Sequence, residues 1–163
     1  EAQHKVYDEL LSLGIDYIDV LSMLNKQALP LYRGVPAQAI YMDAASQIEY
    51  IKSQGGHTSY DVMDTPRVEM DTALAAFHAA VDAGTDRIRV LDTNGTGGPA
   101  AWRYIVRKVR QEFPNIPLAV HCHNDFSQAM ANVFSLQVWK KEPILLMSAQ
   151  TALVNGLGTR ACR

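Results

Sequence analysis

The sequence is short of cysteine, of long apolar runs and of excess charge, and each shortage excludes a class of protein. Its two cysteines, Cys122 and Cys162, cannot form a disulfide framework, so we expect a reducing compartment, the cytoplasm. Lys and Arg number 15 against 17 Asp and Glu, and a net charge of -2 leaves no basic footprint for nucleic acid or an anionic membrane. No apolar run approaches the ~20 residues of a membrane span. The sequence therefore predicts a protein without nucleic-acid or membrane partners.

The composition is that of a chain that folds. Of its 163 residues, 48% are hydrophobic and 20% are charged, which is enough apolar surface for one core and argues against disorder. We therefore expect residues 1–163 to form a single domain. A complete (β/α)8 barrel typically needs ~250 residues. If the chain has barrel architecture, we expect it to be a fragment of one.

Helix-like and strand-like stretches alternate along the chain, which is typical of an α/β fold with parallel strands. The apolar spacing predicts helices over 2–13, 44–54, 69–83, 99–113 and 124–136, and strands over 15–20, 58–63, 87–91 and 117–121. The pattern G-x-D-x-I-x-V occurs at 14–20 and again at 84–90, each time where a helix ends and a buried strand begins. Repetition of one βα unit predicts a barrel or a doubly wound sheet.

Two stretches, 21–43 and 138–150, break this alternation. The first contains Pro30 and Pro36 and has no clean period, and the second places Trp139 to Pro143 where a helix should end and a strand should begin. If the codons of residues 138–149 are read with a two-base shift of the frame, the genetic code permits the amino-acid sequence L-E-E-G-A-D-I-V-D-V-S-T. That sequence would contain a third copy of the repeat. We hypothesise that a compensated frame slip altered this stretch, and the nucleotide sequence would decide it.

The strongest chemical signal is the stretch 118–125, which reads L-A-V-H-C-H-N-D. Alternate side chains of a strand share a face, so His121 and His123 should point one way and Cys122 the other. Two imidazoles at this spacing can bind one metal ion. They stand at the C-terminal end of a strand, where the active sites of parallel α/β folds form. The alternative is a pair of polar residues that finish a strand and are satisfied by hydrogen bonds, and the residues alone leave both interpretations open.

Three further loops follow predicted strands. The segment 92–95, D-T-N-G, contains Thr93 and Asn94, and Thr93 with the backbone amides near a helix start can hold a carboxylate or a phosphate. Asp64 and Arg67, in the stretch 61–67, can face the same end of the sheet. The glycines of N-G-L-G-T-R at 155–160 allow a ligand to approach the backbone closely. Taken alone, the segment 92–95 is better explained as an ordinary βα loop, and the stretch 61–67 as a solvated loop.

Together and in this order, these segments resemble the metallolyase-type TIM-barrel family, which includes 2-isopropylmalate, homocitrate and citramalate synthases and hydroxymethylglutaryl-CoA lyase. H-C-H-N-D, followed by A-M-A-N at 129–132, resembles the family's seventh strand and its helix. D-T-N-G resembles the end of its sixth strand, and N-G-L-G-T-R resembles its eighth-strand motif. The likeness covers 44–137 and 151–160 and extends to 2–20. It implies that His121 and His123 bind a divalent metal ion (Zn, Mn or Mg), and that Thr93, with Asp64 and Asn94, contacts a 2-oxo acid.

The resemblance implies a partial (β/α)8 barrel that condenses acetyl-CoA with a 2-oxo acid in a Claisen-type reaction. It also implies a place in amino-acid biosynthesis in the cytoplasm, with homo-oligomers among the intact relatives. Two alternatives stay open: the reverse chemistry, carbon–carbon cleavage of the hydroxymethylglutaryl-CoA type, and an inactive fragment.

The chain also departs from the family's pattern. The family's first strand, with its Arg-Asp motif, would lie before Glu1, and its third and fourth strands should be lost or scrambled within 21–43. Met63 stands where the family usually has Glu, and Arg163 stands where it has an Asn ligand. We therefore expect an incomplete metal shell, and the general base stays unassigned.

Overall fold

A computed structural model of the protein describes residues 2–15, 17–32, 34–136 and 144–147. The helices are α1 (Ala2–Ser12), α2 (Ala37–Ser53), α3 (Met70–Asp82), α4 (Pro99–Glu112) and α5 (Ala129–Leu136). The strands are β1 (Tyr17–Met23), β2 (His57–Met63), β3 (Arg87–Asp92), β4 (Leu118–Cys122) and β5 (Ile144–Met147). Two short 3-10 helices, Leu29–Tyr32 and Thr65–Arg67, follow β1 and β2. Within these ranges, no helix has the length and apolar character needed to cross a membrane.

The five strands form one parallel sheet in the order of the sequence, β1-β2-β3-β4-β5. β1 and β2 pair along their full length, from Tyr17 opposite His57 to Met23 opposite Met63. Because neighbouring strands run in the same direction, each must be reached by a crossover, and helices α2 to α5 supply these crossovers. The C-terminal ends of the strands therefore lie along one edge of the sheet. This arrangement confirms the predicted α/β fold with parallel strands.

The two faces of the sheet differ in chemistry because side chains alternate along each strand. One face packs against the helices, where Phe77 of α3 and Trp102 of α4 are fully buried. The other face carries polar side chains, among them Asp61, Arg89 and His121. Burial of each large apolar side chain is worth ~1.5–3 kcal/mol, so the helix layer and the first face stabilise each other. Six large strand side chains on that first face are at most 1% exposed: Tyr60, Val62, Ile88, Val90, Leu118 and Val120.

The glycines of the sequence repeat end helices. Gly14 and Gly84 have φ angles of 80° and 91°, a left-handed conformation that glycine adopts without steric cost. Their N–H groups donate to the carbonyl oxygens of Leu11 and Val81, which closes the last turns of α1 and α3. Each glycine thus stops a helix just before a strand, as the repeat predicts.

The stretch 21–43 is more regular than the sequence indicates. β1 continues to Met23, and α2 begins at Ala37, directly after Pro36, rather than near residue 44. β1 pairs directly with β2, which is compatible with the expectation that two of the family's strands are lost or scrambled in this stretch. Within 24–32 and 34–56 the chain forms only a 3-10 helix, α2 and turns, so no strand separates the two. The prolines interrupt the helical period there and conceal where α2 begins.

The second irregular stretch, 138–150, contains β5. Ile144–Met147 pairs in parallel with β4, with Ile144 opposite Leu118 and Met147 opposite His121. This is the position at which the hypothesised third repeat would place its strand, and the present sequence I-L-L-M is itself apolar, as a strand of a parallel sheet requires. The rest of that stretch, and the predicted loop at 155–160, lie outside the described residues.

Candidate functional site

His121, in β4, and His123, just after it, lie side by side at the C-terminal edge of the sheet. Cys122, between them in the chain, is 2% exposed and belongs to the core, so the predicted alternation is confirmed. The ring centroids of His121 and His123 are 4.9 Å apart, with the ring planes at 73°. Burial, followed by the nearby His123 and Arg89, lowers the pKa of His121. This favours the neutral imidazole, which is the form that binds metal ions.

The loops after β3 and β4 hold His123 in place. The His123 N–H donates to the carbonyl oxygen of Asp92 at 3.1 Å. Gly95, with φ 66°, lies directly against this loop, because a Cβ added there would be 3.1 Å from the His123 carbonyl oxygen. A glycine in D-T-N-G is therefore required both by backbone conformation and by the close approach of the histidine loop.

The side chain of Asp92 lies on the face of β3 opposite to Arg89 and holds the loop that leads into α4. Its carboxylate oxygens accept the N–H groups of Thr96 and Gly97, both at 3.0 Å. It is fully buried, and burial raises its pKa despite these hydrogen bonds. Sequence reasoning missed this role, although an Asp directly before a glycine-rich helix start is a pattern that can signal it.

Asp64 and Thr93 are joined across the ends of β2 and β3. The Asp64 N–H donates to the Thr93 hydroxyl oxygen at 2.8 Å. Asn25 and Arg67 both donate to one carboxylate oxygen of Asp64, Oδ2, from Nδ2 at 2.6 Å and from Nε at 2.7 Å. The other oxygen, Oδ1, is buried and has no hydrogen-bond partner among the described residues. Asp64 has φ 55°, a left-handed conformation that is uncommon for non-glycine residues, although Asp adopts it more readily than most.

The predicted substrate residues line one cavity. Asp64, Thr93 and Asn94 share a cavity of about 240 Å³ at the C-terminal edge of the sheet. Sequence reasoning missed Asn25, because it lies in the stretch whose structure the sequence concealed. His121 and His123 lie outside this lining. The remaining lining residues come from β1 and the turn after it and from the end of β2: Met23, Asn25, Gln27, Ala28, Leu31 and Arg67.

An ion-paired cluster, of which Arg89 and Asp61 are buried and Asp19 is exposed, lies on the same face of the sheet as His121. Arg89 contacts Asp19 through Nη2 at 2.6 Å and Asp61 through Nε at 3.0 Å. The Ser59 hydroxyl also donates to Asp61, at 3.1 Å. Burial raises the pKa of Asp61 to about 7, although Arg89 acts in the opposite direction. Barrel interiors are usually filled by Val, Ile and Leu, and no pattern in the sequence indicated that these separated charges would meet.

The residues present fit part of a metal shell. No hydrogen bond of the described residues involves the His121 ring, and His123 Nδ1 is 4.0 Å from the nearest Asp125 carboxylate oxygen. Two adjacent imidazoles are suitable ligands for Zn. Across the described part of the chain, no three His, Cys, Asp or Glu side chains converge on one point. Within the described residues, the candidate metal site therefore offers two histidines as possible ligands.

Sequence comparison places this fold and these motifs in one family. The HMGL-like family profile matches residues 4–138, so the chain belongs to the HMGL-like family. Over 163 aligned residues it is 37% identical to the 2-isopropylmalate synthase of Methanocaldococcus jannaschii, with 98% of this chain and 29% of that protein covered. It is 34% identical over 117 residues to the homocitrate synthase of Methanopyrus kandleri, with 72% of this chain and 28% of that protein covered. The chain thus spans less than a third of these relatives.

Solved structures show the same fold. The chain superposes on the HMG-CoA lyase of Brucella melitensis with a TM-score of 0.76 at 17% identity, covering 94% of this chain and 57% of that one. It superposes on the hydroxymethylglutaryl-CoA lyase of Pseudomonas aeruginosa with a TM-score of 0.75 at 17% identity, covering 88% and 50%. The predicted partial TIM barrel is therefore confirmed.

Proposed function

We propose that the chain carries the metal- and substrate-binding part of an acyltransferase that condenses an acyl-CoA, acetyl-CoA in the simplest case, with a 2-oxo acid. The observation that supports it best is the arrangement of His121 and His123 beside the linked pair Asp64 and Thr93, at the C-terminal edge of one parallel sheet. Synthases of this reaction type are the relatives with substantial identity.

The histidines would hold the metal ion. His121 and His123 are positioned by β4 and by the loop that Gly95 allows to approach, and the lowered pKa of His121 leaves its ring nitrogens ready to ligate. When bound, a divalent ion supplies Lewis-acid polarisation of the 2-oxo acid's carbonyl group. Zn, Mn and Mg are the candidate ions, and the imidazole ligands favour Zn.

Thr93 would bind the carboxylate of the 2-oxo acid. Its oxygen already accepts the Asp64 N–H, so its own hydroxyl hydrogen is left to donate to a ligand. The free Oδ1 of Asp64 requires a donor when buried, and a hydroxyl or amide group of the acyl-CoA would supply one. Asn94, exposed at the rim of the cavity, adds a polar group that can bind the ligand. The general base that would take a proton from the acyl methyl group is not among these residues.

Titration calorimetry of the full chain with zinc, manganese and magnesium tests the metal site. We expect binding that is weak compared with a complete shell, because only two ligands converge. Replacing His121 or His123 with alanine should weaken it at least about tenfold. His78→Ala is the matched control, since His78 is exposed on α3 and pairs with Glu112. Binding that survives loss of both β4 histidines would refute the assignment.

A second assay tests the reaction. The full chain with metal, acetyl-CoA and a panel of 2-oxo acids should release free thiol if the synthase chemistry is present. Cleavage of a hydroxyacyl-CoA without any condensation would instead establish the lyase chemistry. Metal binding without either activity would identify the chain as an inactive fragment and would overturn the catalytic part of the proposal.

A further inference from the structure

The cavity of about 240 Å³ at the C-terminal edge of the sheet has a polar side and an apolar side. The ends of β2 and β3 supply polar groups, including Asp64 and Thr93. The end of β1 and the turn after it supply the apolar groups Met23, Ala28 and Leu31. Because β3 is the neighbour of β4 in the sheet, the polar side is the one nearer to the two candidate metal-binding histidines. The apolar side is the one furthest from them.

Hydrogen bonds hold the turn on the apolar side in a fixed position. The Nδ2 group of Asn25 donates to the Asp64 carboxylate at 2.6 Å, and its Oδ1 accepts the N–H of Ala28 at 2.8 Å. Asn25 itself is 3% exposed. Lys26, the next residue, pairs with Glu69 at 2.8 Å, and neither of these two charges lines the cavity. The apolar side is therefore formed before any ligand binds, as is usual for small-molecule sites.

The charges that line the cavity compensate each other. Among the described lining residues Arg67 is the only cation, and its Nε and Nη2 both contact Oδ2 of Asp64, at 2.7 Å and 2.6 Å. Asp64 is 1% exposed, and its Oδ1 is buried without a partner. Gln27, also in the lining, is exposed and neutral. A carboxylate that entered beside Asp64 would meet a buried anion, and like charges in such a site repel each other.

We propose that this cavity selects a 2-oxo acid with a small apolar side chain over one that has a second carboxylate in its side chain. The inference rests on the proposed function, in which the two histidines hold a metal ion and Thr93 binds the carboxylate next to the ketone. With that end of the substrate on the polar side, its side chain extends toward β1 and contacts Met23, Ala28 and Leu31. Burial of apolar carbon there is favourable, whereas a second carboxylate would lose its hydration without gaining a cation.

The affinity of the full chain for two 2-oxo acids tests this selection. Titration calorimetry in the presence of zinc compares 2-oxoisovalerate, which has a branched apolar side chain, with 2-oxoglutarate, which has a second carboxylate. We expect 2-oxoisovalerate to bind at least about tenfold more tightly, because the second carboxylate of 2-oxoglutarate is desolvated near Asp64. The measurement reports binding and does not require turnover.

A single added charge tests whether the apolar side contacts the substrate's side chain. Leu31→Arg places a cation at the rim of that side, and because Leu31 is 79% exposed, circular dichroism should show an unchanged fold. The variant should bind 2-oxoglutarate at least about fivefold more tightly than the unmodified chain does. Leu13→Arg is the matched control. Leu13 is 71% exposed just after α1, at the opposite end of the strands, so this variant should leave both affinities unchanged.

The possible results separate this inference from the proposed function. If neither acid binds, the proposed function fails and the inference fails with it. If 2-oxoglutarate binds as tightly as 2-oxoisovalerate, the selection is overturned while the proposed 2-oxo acid site stands. If Leu31→Arg gains no more affinity for 2-oxoglutarate than Leu13→Arg does, the apolar side does not contact the substrate's side chain and the inference is equally overturned.

Discussion

Replacing Phe77 with alanine is expected to lower the free energy of unfolding by ~3–5 kcal/mol, the usual cost of truncating a fully buried aromatic residue to alanine. Phe77 is 0% exposed on the inner side of α3. Its ring meets Tyr60 of β2 edge-on at 6.0 Å and Phe113, just after α4, at 6.2 Å. The ring therefore joins the sheet to two helices, and close packing leaves the neighbours little freedom to fill the cavity.

Urea unfolding followed by circular dichroism, at one fixed protein concentration, measures this loss. Tyr104→Ala is the control, because Tyr104 lies on the solvent side of α4 and its truncation should change stability by no more than ~0.5 kcal/mol. A loss below about 1 kcal/mol for Phe77→Ala would mean that the three rings do not form the centre of the core.

The stability of the wild-type chain relative to Asp61→Asn is expected to fall as the pH rises from 4 to 7. The pKa of Asp61 is raised from 3.8 to about 7 in the folded protein, chiefly by burial. The folded state then holds the proton of Asp61 more tightly than the unfolded state does. The stabilisation of the folded state by this proton is fully present below pH 3.8 and is lost as the pH approaches 7. One pKa unit corresponds to ~1.4 kcal/mol, so the expected change is of the order of 4 kcal/mol.

Comparison with the Asp61→Asn variant isolates this effect from the other titrating groups. The asparagine side chain keeps hydrogen-bonding groups and nearly the same size but does not titrate, so the difference between the two unfolding free energies reports on Asp61 itself. Asp71→Asn, at an exposed carboxylate on α3, is the control variant. If the wild type gained stability relative to Asp61→Asn as the pH rises, the attraction of Arg89 would outweigh burial and the assigned direction would be wrong.

Local rules predicted much of the fold and part of the candidate site. Alternation along β4 correctly separated His121 and His123 from Cys122, since side-chain direction in a strand depends only on position. The rule that parallel strands end at one edge correctly suggested that Asp64 and Thr93 could face the same end of the sheet. Whether these residues bind metal and substrate stays a prediction.

The features that the sequence did not reveal depend on contacts between distant segments. The meeting of Asp19, Asp61 and Arg89 requires the register of three strands, which no local pattern specifies. The bond from Asn25 to Asp64 crosses 39 positions of the chain and originates in a turn whose neighbouring prolines conceal the helical period. Charges and amides of this kind look like surface residues until the sheet is assembled.

The strand that carries the two histidines also carries a thiol by which its motions can be followed. Cys122 is buried in the core, and burial raises the pKa of its thiol to about 12. The thiolate is the reactive form, so a thiol-modifying reagent attacks Cys122 only when β4 separates from the helix layer. The modification rate at this position therefore measures how often the strand opens. A ligand that binds through His121 and His123 has to slow that rate if it holds the strand in place.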